Sequence, residues 1–355
     1  MQHPPERYLE NVLEQPDVLR SLLSSLQSQS WAQEFQQIWS KHQDQPILLT
    51  GMGASDSALW PLWFQLNHQG IPAQKIETSE LIHYLPNLLE GPGLCLTISQ
   101  SGESIEIKRL VEKVQALRDQ GKPCKTIVSI TTAPGNSLSA GSDLAFHTHA
   151  GAEVGVATKT FTSTLGFLHL VGACLTGQDL AASYDAIAQI ADYQSQILGD
   201  WERWIEPAGI MMDKVKTYAI VGRGPTQAAV DDGALVLKES LRMMAHGFSG
   251  GEFRHGPMEM LNSALGVLVF TTPGSTLELS QRLSRDVEQR GGCLVTIGQR
   301  VDDLRSCHLD LPVVDQYLMP MLEIVPVQLI AHHVSQILGL IPGNFQWSGK
   351  VVLQE

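Results

Sequence analysis

Positive charge is scarce in this chain: 24 Lys and Arg stand against 37 Asp and Glu, a formal net charge of -13. A protein that grips nucleic acid needs a basic face to displace phosphate counterions, so this balance argues against a nucleic-acid partner. An anionic ligand has to be held by local dipoles and a few placed side chains, because the overall field repels it. Cysteine is scarce as well. The five, Cys95, Cys124, Cys174, Cys293 and Cys307, are scattered, odd in number and without CxxC pairing. That argues against a disulfide framework and against a zinc site, and it points to a reducing, cytoplasmic compartment. A basic-then-apolar leader is lacking over Met1–Arg7. The one long apolar stretch, Tyr317 to Pro342, is interrupted by Pro320, Glu323, Pro326, His332 and His333. It predicts a buried core helix starting near Pro326 and no membrane span. The two histidines read as packing groups, not metal ligands, and no metal is expected.

What is present is a repeating α/β pattern. A chain of 355 residues can bury two cores. Over residues 1–45, Leu19, Leu22, Leu23 and Leu26, then Trp31, Phe35 and Trp39, recur at helical spacing. From Pro46 onward, short apolar runs alternate with amphipathic helices. Strands are expected at Pro46–Thr50, Leu94–Ile98, Thr126–Thr131, Tyr218–Val221, Gly266–Phe270 and Cys293–Ile297. Such alternation implies parallel sheets covered by helices on both faces. The pattern occurs twice: Gly51-Met52-Gly53-Ala54-Ser55 recurs as Gly222-Arg223-Gly224-Pro225-Thr226, and Ser99–Ser104 recurs as Thr271–Thr276. Both offsets are about 170 residues, which marks a duplicated domain. The expected organisation is a helical segment at 1–45, one α/β domain at 46–185 and a second at 186–355. Each domain is a three-layer αβα unit with a mainly parallel sheet.

Ser99-Gln100-Ser101-Gly102-Glu103-Ser104 lies between an expected strand and the helix that begins near Ile105. Hydroxyls, an amide and backbone N–H groups at a helix start can ring a dianion without any lysine. A lone serine there is more often a helix cap. Three serines around a glycine at the end of a parallel strand favour phosphate. The dinucleotide fingerprint is incomplete, since Asp56 replaces the third glycine and would repel pyrophosphate, so a nicotinamide cofactor is disfavoured and no cofactor is expected.

Here the chain resembles a known family. Ser99–Ser104 is similar to the phosphate loop of sugar isomerase (SIS) domains. Glu153–Lys159, Gly233–Glu239 and Gly251–Pro257 resemble successive segments of the isomerase half of glutamine–fructose-6-phosphate aminotransferases, as does Lys350 in the tail. The likeness runs from about Pro46 to the end. It implies two tandem SIS domains and a phosphorylated sugar substrate. Ser55, Ser99, Gln100, Ser101 and Ser104 match sugar-phosphate-binding positions, and Val156 matches a backbone contact to the sugar. Glu239 matches the base that moves a proton between carbons 1 and 2. His255 matches a ring-opening residue that, in the family, comes from the neighbouring subunit, which implies a homodimer. Lys350 matches a tail lysine near the sugar oxygens.

The residue types suit that chemistry, since an aldose–ketose shift needs a base beside a carbon acid. The chain departs from the family where the aminotransferases carry a Schiff-base lysine three residues before the glutamate; here that position is Val236. Residue 2 is Gln2 and the first cysteine is Cys95, so no glutaminase domain with its cysteine nucleophile is expected. The segment after Val156 and the tail before Lys350 also differ. The expectation is therefore a sugar-6-phosphate isomerase or amino-sugar-6-phosphate deaminase. A deglycase of fructosamine-type 6-phosphates and a non-catalytic sugar-phosphate sensor are the alternatives.

Overall fold

The structure is a computed structural model that describes residues 6–347 and 349–354. Ten strands form two five-stranded sheets, all of whose pairings are parallel. In the first, β1 (Ile47–Thr50), β2 (Ala73–Lys75), β3 (Leu94–Ile98), β4 (Thr126–Thr131) and β5 (Leu144–His147) lie in the order β2-β1-β3-β4-β5. In the second, β6 (Thr217–Gly222), β7 (Met244–Ser249), β8 (Leu265–Thr271), β9 (Cys293–Gly298) and β10 (Cys307–Asp310) lie in the order β10-β9-β8-β6-β7. The winding is the same in both: the chain leaves its first strand to one side, then crosses back to the other.

Parallel strands joined by crossover helices are covered on both faces, and the central strands accordingly read as continuous apolar runs. Every residue of β1, β3 and β8 is buried. Leu48, Leu81, Ile82, Leu110 and Ile127 belong to the core of the first sheet, and Val221, Phe253, Val267, Leu283 and Leu294 to that of the second. The six expected strands are all present, within two residues at either end. The four unexpected ones, β2, β5, β7 and β10, are the sheet edges.

The chain divides into two compact units. The first contains residues 17–153 and 159–188 with the tail from Trp347; the second contains the stretch ending at Pro16, residues 154–158, and residues 189–346. This division differs from sequential blocks at 46–185 and 186–355, because the ends of the chain and a short internal segment change sides. In the first unit, helix Gln15–Gln27 buries Leu19, Leu22 and Leu26, and helix Trp31–Trp39 buries Trp31, Phe35 and Trp39. These faces lie on helix Lys159–Thr176: Trp31 meets Phe167 edge-on at 5.1 Å, and a side chain at Gly166 would press on Leu19.

In the second unit the apolar stretch forms helix Met319–Ile337. It begins seven residues before the expected start near Pro326. Pro320 falls in the first turn, where its missing N–H costs nothing, and Pro326 is carried inside the helix. Burial on nearly every side from Met319 to Ser335 outweighs the proline. Tyr8 and Gln15 fasten the N-terminal stretch to this helix at Gln328, the latter through an amide–amide bond of 2.8 Å. His332 stacks on Tyr8 and meets Trp201 edge-on, while the His333 ring fills the space left by the absent side chain of Gly209. None of the described helices is long and apolar enough to cross a membrane.

Gly155, in the same unit, has φ +78°, and a Cβ there would lie 2.4 Å from the Gly343 Cα. Gly155→Ala is expected to lose about 2 kcal/mol or more through strain and displaced backbone. A calorimetric melting temperature equal to that of the parent chain would refute that reading.

Candidate functional site

In an open parallel sheet, the carboxyl ends of two adjacent strands whose connections run opposite ways leave a crevice between their loops. In the first unit those strands are β1 and β3. Ser55 sits half-buried in the one-turn helix Ala54–Ser57 after β1, and Ser99–Ser104 follows β3. The loop holds itself in shape. Ser99 Oγ accepts the Gly102 N–H at 3.0 Å, and Ser101 Oγ accepts the Glu103 N–H at 3.1 Å. Gly102 turns the chain at φ +66°, with Asn136 Oδ1 only 2.0 Å from where a Cβ would stand.

Donors are left over. Among the described residues no acceptor takes the N–H groups of Gln100, Ser101 or Ser104. Ser104 is the N-cap of helix Ile105–Asp119 yet makes no side-chain cap bond, and its hydroxyl is buried without a partner among the described residues. Simple capping therefore does not account for it. The positive end of the helix dipole adds to the same spot. The one carboxylate of the loop is neutralised elsewhere: Glu103 pairs with Lys108 at 2.8 Å and accepts the Ser137 N–H at 2.6 Å. Lys108 first and Ser137 next hold its pKa below the usual range. Asp56 is likewise paired, with Lys75. The arrangement suits a small, multiply charged oxyanion.

The C-terminal tail docks on this unit. Val352 O accepts the Ile105 N–H at 3.0 Å, and Lys350 Nζ lies 2.7 Å from Glu153 Oε2. The Glu153 side chain is wholly buried and also accepts the N–H and hydroxyl of Thr160. Sequence reasoning gave Lys350 a role but gave none to Glu153, which anchors it and figured only as the start of the Glu153–Lys159 segment. The available signal was a glutamate in an otherwise uncharged stretch, Gly151–Thr158.

The second unit holds the remaining expected site residues. Val156 is buried beside Gly155. Glu239 lies half-buried near the end of helix Gln227–Leu241, and His255 is exposed directly after the short helix Gly250–Arg254. The structure thus brings together Ser55, Ser99, Gln100, Ser101, Ser104 and Lys350 in one unit, and Val156, Glu239 and His255 in the other.

The crevice between β6 and β8 is occupied by the chain itself. Glu323, from helix Met319–Ile337 and fully buried, accepts the hydroxyls of Thr272 and Thr226, the latter at 3.2 Å. Its Oε2 has no partner among the described residues. Burial pushes this carboxyl up to about 7, outweighing the two hydroxyls. Sequence reasoning met Glu323 only as an interruption of an apolar stretch.

Two doubly wound α/β domains, the first with open neutral donors gathered at the switch point of its sheet, define a tandem-domain α/β protein. The SIS domain family model matches residues 42–173 and 211–337, one match over each sheet, and the chain belongs to that family. It is similar to glutamine–fructose-6-phosphate aminotransferase (isomerizing) of Pyrococcus horikoshii, 29% identical over 316 residues, covering 87% of this chain and 52% of that protein. With the enzyme of the same name from Methanothermobacter thermautotrophicus it is 30% identical over 292 residues, covering 81% and 48%. The chain spans about half the length of these curated relatives. Among solved structures, the C-terminal domain of glucosamine-fructose-6-phosphate aminotransferase from Francisella tularensis superposes with TM-score 0.82 at 24% identity, covering 96% of this chain and 97% of that one. Escherichia coli tagatose-6-phosphate ketose/aldose isomerase gives 0.78 at 20% identity, covering 98% and 100%. Thermotoga maritima glucosamine-6-phosphate deaminase gives 0.75 at 18%, covering 98% and 100%. At these identities the likeness is one of fold.

Glu323 makes a pH prediction. The folded chain keeps this proton to about pH 7, whereas an unfolded chain releases it near the ordinary glutamate value of 4.5. Between those values the unfolded state binds fewer protons, so the contribution to stability falls as pH rises and levels off above pH 7. In urea titrations, Glu323→Gln is expected to gain on the parent chain by up to about 3 kcal/mol from pH 4.5 to pH 8. A gap that stays constant with pH would sink the assignment.

Proposed function

We propose that this chain is a phosphosugar enzyme of the isomerase type, acting on a hexose 6-phosphate or amino-hexose 6-phosphate. The observation that carries the reading is the buried, unpartnered hydroxyl of Ser104 among the open N–H groups of Gln100, Ser101 and Ser104. A phosphate seated there replaces water on donors that nothing else in the described chain uses. The likeness to proteins named for fructose 6-phosphate, tagatose 6-phosphate and glucosamine 6-phosphate supports the same ligand end.

In this reading Ser55, Ser99, Gln100, Ser101 and Ser104 hold the phosphate, and the Val156 backbone touches the sugar. Glu239 takes the proton from the carbon beside the carbonyl and returns it to the neighbouring carbon, through an enediol or enolamine. His255 assists ring opening. Its exposure at the end of Gly250–Arg254 supports service to a neighbouring subunit in a homodimer. Lys350, ordered by Glu153, lies toward the sugar oxygens. Neither a metal nor a cofactor enters these steps. Val236, in place of a Schiff-base lysine, favours isomerisation, deamination or deglycation over amino transfer. The retained glutamate, histidine and tail lysine favour an enzyme over a sensor, which needs the phosphate loop alone. The five free cysteines suit a reducing, cytoplasmic setting.

The deciding experiment is a panel of fructose 6-phosphate, glucosamine 6-phosphate, galactosamine 6-phosphate and fructosamine-type 6-phosphates, followed for isomer, ammonia and amine. Glu239→Gln should lower turnover on the best substrate by about a hundredfold or more while binding changes little; undiminished turnover removes the proposed base. Ser101→Ala should raise KM about tenfold for phosphorylated substrates, and an unaltered KM counts against the phosphate seat. Mixing Glu239→Gln with His255→Ala chains should recover part of the activity, and failure to recover any refutes a shared histidine.

A further inference from the structure

The second unit carries a cation that no described residue answers. Arg223 is the first residue after β6, in extended backbone, and is partly buried. Its guanidinium lies against Gly250 and Gly251: a Cβ on Gly250 would stand 2.6 Å from Nε and 2.8 Å from Cζ. Glycine at that place is what admits the arginine. Nε is buried with no hydrogen-bond acceptor, and no ion pair engages the side chain among the described residues. The far end of the fork has room beside it. Beyond its own helix and chain neighbours, a Cβ on Gly251 would meet Nη1 alone, at 4.0 Å.

The charge acting on Arg223 is another cation, Arg254. Arg254 in turn shares the carboxylate of Asp286 with Arg290, at 2.7 and 3.2 Å. Three arginines thus stand to one carboxylate, a local surplus of two positive charges in a chain of net charge -13. Burial first, and Arg254 second, lower the proton affinity of Arg223. A partly desolvated cation beside a like charge is unfavourable until an anion arrives.

We propose that Arg223 anchors a second anion site, contained wholly in the second unit, that takes a small tetrahedral dianion such as inorganic phosphate. A guanidinium edge matches two oxygens of one phosphate by parallel N–H···O bonds. A surplus of two charges favours a dianion over a carboxylate, which cancels only half of it. The site is separate from Ser99–Ser104, which belongs to the first unit and offers neutral donors. It needs no sugar, so the inference goes beyond the proposed function and does not depend on it. The guanidinium lies on the two glycines that open helix Gly250–Arg254, so an anion bound there ties the end of β6 to the segment that leads into His255.

The test titrates inorganic phosphate into the parent chain by calorimetry, in a buffer free of other multivalent anions. Two sites per chain are expected, one weakened by Ser101→Ala and the other, about tenfold, by Arg223→Gln. Arg223→Lys should retain part of the second site, because it keeps the charge without the fork. Gly251→Asp places a carboxylate within reach of Nη1; it should abolish that site and raise the melting temperature in phosphate-free buffer. A single site, weakened by Ser101→Ala and indifferent to Arg223→Gln and Gly251→Asp, overturns the inference and leaves the sugar-phosphate reading standing. A single site weakened by Arg223→Gln alone upholds the inference and counts against the Ser99–Ser104 seat. No phosphate binding at all also overturns it, and fructose 6-phosphate titrated next then decides the sugar-phosphate reading separately. Sedimentation supplies the last arm: dissociation of an assembled parent chain by Arg223→Gln would assign the arginine to a carboxylate of a second copy and overturn the proposal.

Discussion

The carboxyl end of a parallel strand is a place where the backbone cannot finish its own hydrogen bonding. Each strand of these sheets must run into a helix to return to the same edge, and that helix starts with N–H groups that have no partner within it. Where two such connections diverge, between β1 and β3 and again between β6 and β8, the unfinished donors face a common crevice. A side chain, a water or a ligand has to complete them. The rest of the molecule, from the apolar central strands to the Leu19 and Trp31 helices over the first sheet, keeps those strand ends in place.

The duplicated halves answer that demand differently. The first leaves its donors open and cancels the nearby negative charge, by Lys108 on Glu103 and by Lys75 on Asp56. The second fills the equivalent space with a carboxyl group of its own, Glu323, held by Thr226 and Thr272. A phosphate cannot share that volume with a buried carboxyl. The two frameworks share one topology, and a single side chain from the last helix makes their crevices differ.

The central architecture was legible because strands buried on both faces have to be apolar throughout. Leu94–Ile98, Thr126–Thr131 and the runs around Val221, Val267 and Val295 announce themselves by that requirement. The edge strands β2, β5, β7 and β10 have one neighbour instead of two, are short or polar, and follow no such rule; Met244–Ser249 even contains a glycine and a histidine. The serine loop was legible as a cluster of donors between a strand and a helix. Glu153 and Glu323 were not. A lone acid in an apolar segment reads as an interruption until the threonines or the lysine it meets are known, and those lie 7 to 197 residues away along the chain. Pro326 misled for a related reason: local propensity forbids a proline inside a helix, and burial over the whole length of Met319–Ser335 overrules it.

The assignment of the tail from Trp347 to the first unit, and of the stretch ending at Pro16 to the second, bears on how the protein could be divided. A fragment ending near Ala188 would keep the Ser99–Ser104 turn but lose Val352 from its helix start and Lys350 from Glu153, leaving a buried carboxylate with no counter-ion. The complementary fragment would forfeit Tyr8 and Gln15 from the face of its last helix. Although the two halves arose as repeats of one pattern, neither is a self-sufficient module, and genetic dissection at the midpoint would release two pieces that each miss a fastening held by the other.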